Sequence, residues 1–327
     1  MITVVVPTYN HPSYIDYILK HSFSVYKGQL FQFSIHDSSE NDLTEKLIQT
    51  YNENHDNKIA YYRYPSDILG DVKSYTALKE TKSEYLYLMG DGLAPDFDAL
   101  EALLLGNDYS RFDFIGVLPP SFRGAAEQEL PKNNVLYEFS NLLDFSSKFF
   151  YRETLYGGSI INHRLIDFID ENKIYERFRF DNRYCYAYIS SIFTALSMNS
   201  NFKFCTSFVD CLLLNPEKKG NWAHDDNLYK ILFEEFQNDV KLLPPFYDDI
   251  KSQILLSRNR FAWKKKDIIH YRKNNSVNFH YLKKYKSALK VCDYNYPFTV
   301  FICFIPRFIL VLMSKGKNIV RSLMKKE

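Results

Sequence analysis

Apolar and polar positions switch between two periods along the first 118 residues. Ile2–Val6 is a short β-branched run closed by Pro7, the pattern of a buried strand. Pro12 stands where a helix can open, with Ile15, Ile18 and Leu19 on one face. Phe31–Ile35 is a second strand and ends at His36-Asp37-Ser38-Ser39. Leu43, Leu47, Ile48 and Tyr51 then repeat at helical spacing. Ile59–Tyr64 is a third strand, stopped by Pro65, and Val72, Tyr75, Thr76 and Leu78 predict the next helix. Tyr85–Met89 is a fourth strand that runs into Gly90-Asp91-Gly92; Asp96–Leu105 reads as helix and Phe112–Leu118 as a fifth strand.

Strands and helices that alternate at this spacing predict βαβ units, hence an α/β fold with a mostly parallel sheet flanked by helices. Such sheets bind ligands beyond the carboxyl ends of their strands. The segments leaving those ends are Pro7-Thr8-Tyr9-Asn10, Asp37-Ser38-Ser39 and Gly90-Asp91-Gly92, polar turns of which two bring a carboxylate. They mark a candidate site before any kinship is considered.

The second half is less regular. Residues 119–150 carry Pro119, Pro120, Gly124 and Pro131 and read as an irregular active-site loop. Leu155–Asn162 reads as a strand, Arg164–Glu171 and Cys185–Met198 as helices. Leu228, Ile231, Leu232 and Phe236 give an amphipathic helix over Asn227–Val240. The expected division is an α/β domain over 1–215, which carries the candidate site, and a helical, basic region over 216–327.

Charge sharpens that division. The chain of 327 residues has a net charge of only +2. From Arg258 onward, however, there are 17 Lys and Arg against three acids, which leaves 24 basic and 36 acidic residues before it. The first part thus carries −12 and the last seventy residues +14. A split of that size implies two surfaces with different partners. Five cysteines, none at CxxC spacing, argue against a disulfide framework or a zinc site and for reduced thiols in a cytosolic chain. The opening MITVVVPTYN reads as a strand, so no signal peptide is expected.

The three turns also carry a resemblance. VVVPTYN, FSIHDSSENDLT and SEYLYLMGDGLAPDFDALEALL resemble, in order and spacing, the first strand and nucleotide loop, the second strand and its acidic turn, and the metal-motif strand of the family 2 glycosyltransferases. The likeness covers roughly residues 1–105 and implies the GT-A fold. It implies transfer of a sugar from a nucleotide diphosphate sugar, a UDP-sugar here, to an acceptor hydroxyl, with inversion, as in a hexosyltransferase. Pro7, Thr8 and Tyr9 match the loop beneath the base. Asp37 matches the carboxylate that accepts a hydrogen bond from uracil N3–H. Asp91 matches the surviving acid of a motif that normally holds two carboxylates, and so the ligand of Mg²⁺ or Mn²⁺; such an ion needs only one or two protein carboxylates when diphosphate supplies the rest. Lys73 and Arg63 are the basic residues placed to neutralise diphosphate. Read without the family, Asp37 caps the following helix and Asp91 is an ordinary turn acid.

An inverting transfer also needs a base for the acceptor proton. Asp181, in Phe178-Arg179-Phe180-Asp181-Asn182, has the position the resemblance implies; His224 and Asp225 form the alternative cluster, and each acid also suits a helix start. The basic tail interleaves Lys264-Lys265-Lys266, Lys283-Lys284 and Lys290 with tyrosines around the apolar stretch PFTVFICFIPRFILVLM, residues 297–313. With its break at Pro306-Arg307 that stretch is short for a bilayer-spanning helix. It predicts a foot over 297–327 that lies on an anionic membrane surface rather than a nucleic-acid site, since no nucleic-acid motif is present. The alternative is that the stretch is a buried helix or a dimer contact. The joint expectation is a transferase seated peripherally on the inner face of the cell membrane. Its acceptor would be a saccharide linked to polyprenyl diphosphate, in surface polysaccharide synthesis. The different-class alternative is a non-catalytic GT-A-like scaffold subunit.

Overall fold

Ile2–Thr8 (β1) is buried at every position, as a strand with helices on both faces must be. It lies at the centre of one half of an eight-stranded sheet in the order β3-β2-β1-β4-β7-β5-β8-β6. The other strands are Phe31–Asp37 (β2), Ala60–Arg63 (β3), Tyr85–Leu88 (β4), Phe114–Leu118 (β5), Tyr137–Glu138 (β6), Ser159–Asn162 (β7) and Phe204–Phe208 (β8). The structure is a computed structural model that describes residues 1–119, 135–179, 186–211, 213–218, 225–257, 263–293 and 295–312.

β3, β2, β1 and β4 run parallel, in register Thr8↔Asp37↔Arg63 and Val5↔Leu88. β7 inserts antiparallel between β4 and β5, and β6 closes the edge antiparallel to β8. The sheet is therefore mixed but mostly parallel, as the alternating pattern predicts. Helices Pro12–Ile18 (α1), Leu43–Asn54 (α2), Gly70–Glu80 (α3) and Phe97–Leu105 (α4) follow the first four strands. Beneath them Phe23 stacks on Phe33 at 3.8 Å between centroids, and Phe97 closes the cluster 5.0 Å from Phe33.

Two expectations are corrected. Residues 119–150 are not irregular throughout: Leu142–Phe149 is a helix (α5), because Asn141 caps it by accepting from the amides of Leu143 and Asp144. The strand expected from Leu155 begins only at Ser159. Gly157, at φ +96°, turns the chain first, and its amide donates to the Leu88 carbonyl at 2.6 Å. His163–Glu171 (α6), Ile174–Phe178 (α7) and Ala187–Met198 (α8) follow. Arg164 forks onto the fully buried Asp113, with Nη2 to Oδ2 at 2.7 Å, and ties the start of α6 to the start of β5.

The chain divides into two compact units, Met1–Gly220 with Leu242–Ile250, and Asn221–Lys241 with the residues from Lys251 onward. The second is helical: Asp225–Tyr229 (α9), Phe236–Leu242 (α10), Lys251–Ser257 (α11), Lys265–Lys273 (α12), Phe279–Lys284 (α13), Lys286–Cys292 (α14) and Tyr296–Phe304 (α15). Its core is aromatic. Trp263 is fully buried against Phe233 at 4.8 Å, and Tyr229 stacks on Tyr285 at 5.3 Å. No helix among the described residues is long and apolar enough to cross a membrane.

Candidate active site

The register of β1, β2 and β4 brings the three polar turns to one edge of the sheet. Thr8 ends β1, and its hydroxyl donates to Asp91 Oδ2 at 2.8 Å, although 83 residues separate them. His11 Nδ1 bonds the same oxygen at 2.9 Å. The imidazole stacks on Tyr14 at 4.3 Å and stays about half exposed. The hydrogen bond to Asp91 raises the His11 pKa.

The turn that carries Asp91 is braced from a distant segment. Asn215 donates its side-chain amide to the carbonyls of Asp91 at 3.1 Å and Tyr14 at 3.0 Å. Its backbone amide donates to the Gly92 carbonyl, and the amides of Ala94 and Asp96 donate to the carbonyls of Leu213 and Cys211, so Asn215, Leu213 and Cys211 pair with the 92–96 segment. A Cβ added at Gly92 would lie 2.9 Å from Lys218 Cδ and 3.0 Å from its Nζ, so a larger residue there would displace that exposed side chain. Asp96, the acid after Pro95, is spent as the N-cap of α4, accepting from Ala99.

Asp37 is fully buried at the end of β2. Its Oδ1 accepts from the amide and hydroxyl of Ser39, and its Oδ2 from the Tyr61 hydroxyl at 2.9 Å and Arg63 at 3.2 Å. It does not cap the following helix, which opens at Leu43 behind Asp42. Arg63 also donates to the carbonyls of Asn41 and Ser39 and so holds the 37–41 turn rather than standing free for diphosphate. Burial pushes the Tyr61 hydroxyl up to about 12, so it remains a donor. The loop after β1 clasps this turn: the amide of Asn10, at φ +55°, donates to the Ser39 hydroxyl oxygen, and its side-chain Oδ1 accepts from the Glu40 backbone amide. Tyr9 is exposed and donates to Glu40. Pro7 lies buried opposite His36.

Lys73 reaches the same edge from the first turns of α3. It is 4% exposed and donates to the Thr8 carbonyl at 2.5 Å and the Ser38 hydroxyl at 2.7 Å. Burial lowers its pKa to about 8, against the attraction of Asp91 and Asp37. Neighbouring His36 is buried and held neutral, its pKa lowered by burial to about 4.

Thr8, Tyr9, Asp37, Lys73 and Asp91 thus meet at one set of strand ends. Asp181 and His224 lie outside the described residues, as does the side chain of Asp225, the first residue of α9. Its neighbour Asp226 is ion-paired to Lys284 at 2.7 Å. Sequence reasoning missed His11, Asn215 and Lys218. His11 directly follows the nucleotide-loop motif, and that adjacency is the one signal for it. Asn215 and Lys218 carry none, because a single bridge between remote segments brings them to Gly92.

The model of glycosyl transferase family 2 matches residues 3–178, more than half of the chain. The chain belongs to glycosyl transferase family 2. The family 2 member is a glycosyltransferase with a GT-A fold, and solved structures agree on the fold. The mannosyltransferase PcManGT from Pyrobaculum calidifontis, solved with GDP-Man and Mn²⁺, is 16% identical, with a TM-score of 0.51 over 100% of this chain and 88% of its own. TarS residues 1–349 from S. aureus is also 16% identical, with a TM-score of 0.50 over 80% of this chain and 72% of its own. No curated protein matches the sequence.

The donor set at the strand ends accommodates a divalent ion only in one form. Among the described residues no three His, Cys, Asp or Glu side chains gather around a common point. Asp91 is the one acid at its turn, which fits Mg²⁺ or Mn²⁺ held by a single carboxylate and completed by diphosphate oxygens and water.

Proposed function

We propose that this glycosyltransferase moves a hexosyl group from a UDP-sugar to a hydroxyl of a lipid-linked saccharide, with inversion at the anomeric carbon. The observation that carries the reading is the meeting of Thr8, Asp37 and Asp91 at the ends of three adjacent parallel strands. Parallel sheets bind ligands at such a place.

In this reading the 7–11 loop and the 37–41 turn bind the nucleoside. Asp37 orders that turn through Ser39, Tyr61 and Arg63, and its family role toward uracil N3–H requires Tyr61 or Arg63 to yield Oδ2. Asp91 would hold the divalent ion, which would neutralise diphosphate charge when bound. Lys73 adds a buried positive charge behind the Thr8 carbonyl. The acceptor oxygen attacks the anomeric carbon while a carboxylate takes its proton; the new glycosidic C–O bond forms as the bond to the diphosphate oxygen breaks, and UDP leaves. Asp181 is the assigned base, with His224 or Asp225 as the alternative.

Two observations support a membrane-side acceptor of the polyprenyl-diphosphate type: the −12/+14 division of charge along the chain, and the apolar stretch inside its basic part. Such a tail is drawn to the anionic cytoplasmic leaflet. The test is hydrolysis of a panel of nucleotide sugars by the purified chain, with Mn²⁺ and with chelator. Turnover of a UDP-sugar above its GDP counterpart supports the donor assignment. Binding without any turnover favours the scaffold reading, which the incomplete acidic motif motivates.

A further inference from the structure

The C-terminal helices keep one apolar face for themselves and present another. In α15, Thr299, Ile302 and Cys303 are buried in the second unit. Phe301 and Phe304 point away from that core and are 60% and 70% exposed. The helical segment at 307–312 continues the pattern, with Phe308 65% and Leu312 62% exposed. Phe301 and Phe304 stand three residues apart on α15, and Phe308 and Leu312 four apart on the segment after the bend, spacings that align each pair along one side of its own helix.

The bend at Pro306 is fixed. Arg272 donates to the carbonyls of Cys303 and Ile305, each at 3.1 Å, and Arg307 donates to the Lys273 carbonyl at 3.0 Å and 3.2 Å. The Phe279 ring packs edge-on against Phe304 at 4.9 Å. Four large apolar side chains therefore protrude from a braced frame. With Phe279, itself 49% exposed, beside Phe304, they form exposed apolar surface of the kind that marks an interaction site.

Charge decides the occupant. Lys265 Nζ lies 5.6 Å over the Phe298 ring, and Lys273 and Arg307 flank the bend. The chain from Arg258 onward carries +14. Protein interfaces deplete lysine, whereas an apolar face flanked by Lys and Arg suits the headgroup and acyl boundary of an anionic bilayer. No described helix is able to span that bilayer, so the segment lies in its plane.

Resting on the membrane-side reading of the acceptor, we propose that Phe301, Phe304, Phe308 and Leu312 insert into the surface of an anionic membrane. Lys265 and Arg307 meet its headgroups, so the braced bend is the point of attachment.

The test uses the full chain and vesicles of phosphatidylcholine with and without 30% phosphatidylglycerol. The wild type should sediment with the anionic vesicles, and high salt should weaken binding in part, because screening acts on charge while insertion persists. The triple variant Phe301→Ser, Phe304→Ser, Phe308→Ser should lose at least about 100-fold in partition with an unchanged melting temperature, since all three side chains are exposed. A Phe304→Trp variant should shift its emission to the blue on anionic vesicles. Equal vesicle binding by wild type and triple variant overturns the proposal. So does self-association abolished by the triple variant in a chain that ignores vesicles, which assigns the face to a second copy. Calorimetry with UDP separates the donor reading: its failure there leaves the vesicle result standing, and the reverse also holds.

Discussion

Replacing Lys73 with methionine removes an ammonium group that is 4% exposed at the ends of β1 and β2. Burial holds its pKa at about 8 rather than the ordinary 10.5, which amounts to about 3 kcal/mol against the charged form in the fold. Methionine keeps the volume and removes that cost. It also removes the donor to the Thr8 carbonyl and the Ser38 hydroxyl. The Thr8 carbonyl retains the Ser38 amide at 3.2 Å, so the loss is about 1–2 kcal/mol. The variant should therefore be about 1–2 kcal/mol more stable than wild type at pH 7. Above the folded pKa the order should reverse. Between about pH 8 and 10.5 the unfolded chain keeps a proton that the folded chain has shed, so wild-type stability rises with pH by up to about 3 kcal/mol while the variant gains nothing there. Urea unfolding of both proteins at about pH 7 and pH 10 reads the crossing. The same variant should bind UDP more weakly by calorimetry, because a buried charge that costs stability within the proposed nucleotide site fits a functional role for that charge. A variant destabilised equally at both pH values, with unchanged UDP affinity, would refute this reasoning and make Lys73 a structural tie.

Asp91→Asn should lower nucleotide-sugar turnover by at least about 100-fold with little change in melting temperature, since the amide oxygen still accepts from Thr8; near-wild-type turnover removes Asp91 from the site. Asp181→Asn should cost about 10²–10⁴-fold in turnover with UDP affinity retained; full activity there, with loss in His224→Ala or Asp225→Asn, moves the base to the second cluster. His36, buried and held near pKa 4 against an ordinary 6.5, stays neutral in the fold while the unfolded chain protonates. Stability should thus fall by up to about 3 kcal/mol as pH drops from 6.5 to 4. Unfolding midpoints of His36→Gln should lack that component, and an identical acid slope would contradict it. Gly157→Ala places a Cβ 2.5 Å from Leu93 Cδ1 at a positive φ and should cost about 1–3 kcal/mol in a urea titration.

The sequence by itself determined the first half of this protein. The unbroken Ile2–Val6 run, the periodic helices and the three polar turns specify parallel strands whose carboxyl ends carry the candidate site, because local pattern and chain order leave a βαβ chain few other topologies. It also determined the charge division that motivates the membrane-side reading. Only the tertiary structure decided what the site residues do to one another. The Thr8–Asp91 contact joins residues 83 apart, and Asn215 braces Asp91 from a segment that pairs with 92–96. No local periodicity encodes such pairs, which depend on where separate strands end. Asp37 was visible as a turn acid, but its burial under Ser39, Tyr61 and Arg63 follows from the register of β1, β2 and β3. The apolar run from 297 divides in the same way. Its hydropathy is legible residue by residue, while the choice of Ile302 as core and Phe304 as surface is made by the helices packed against one side of α15.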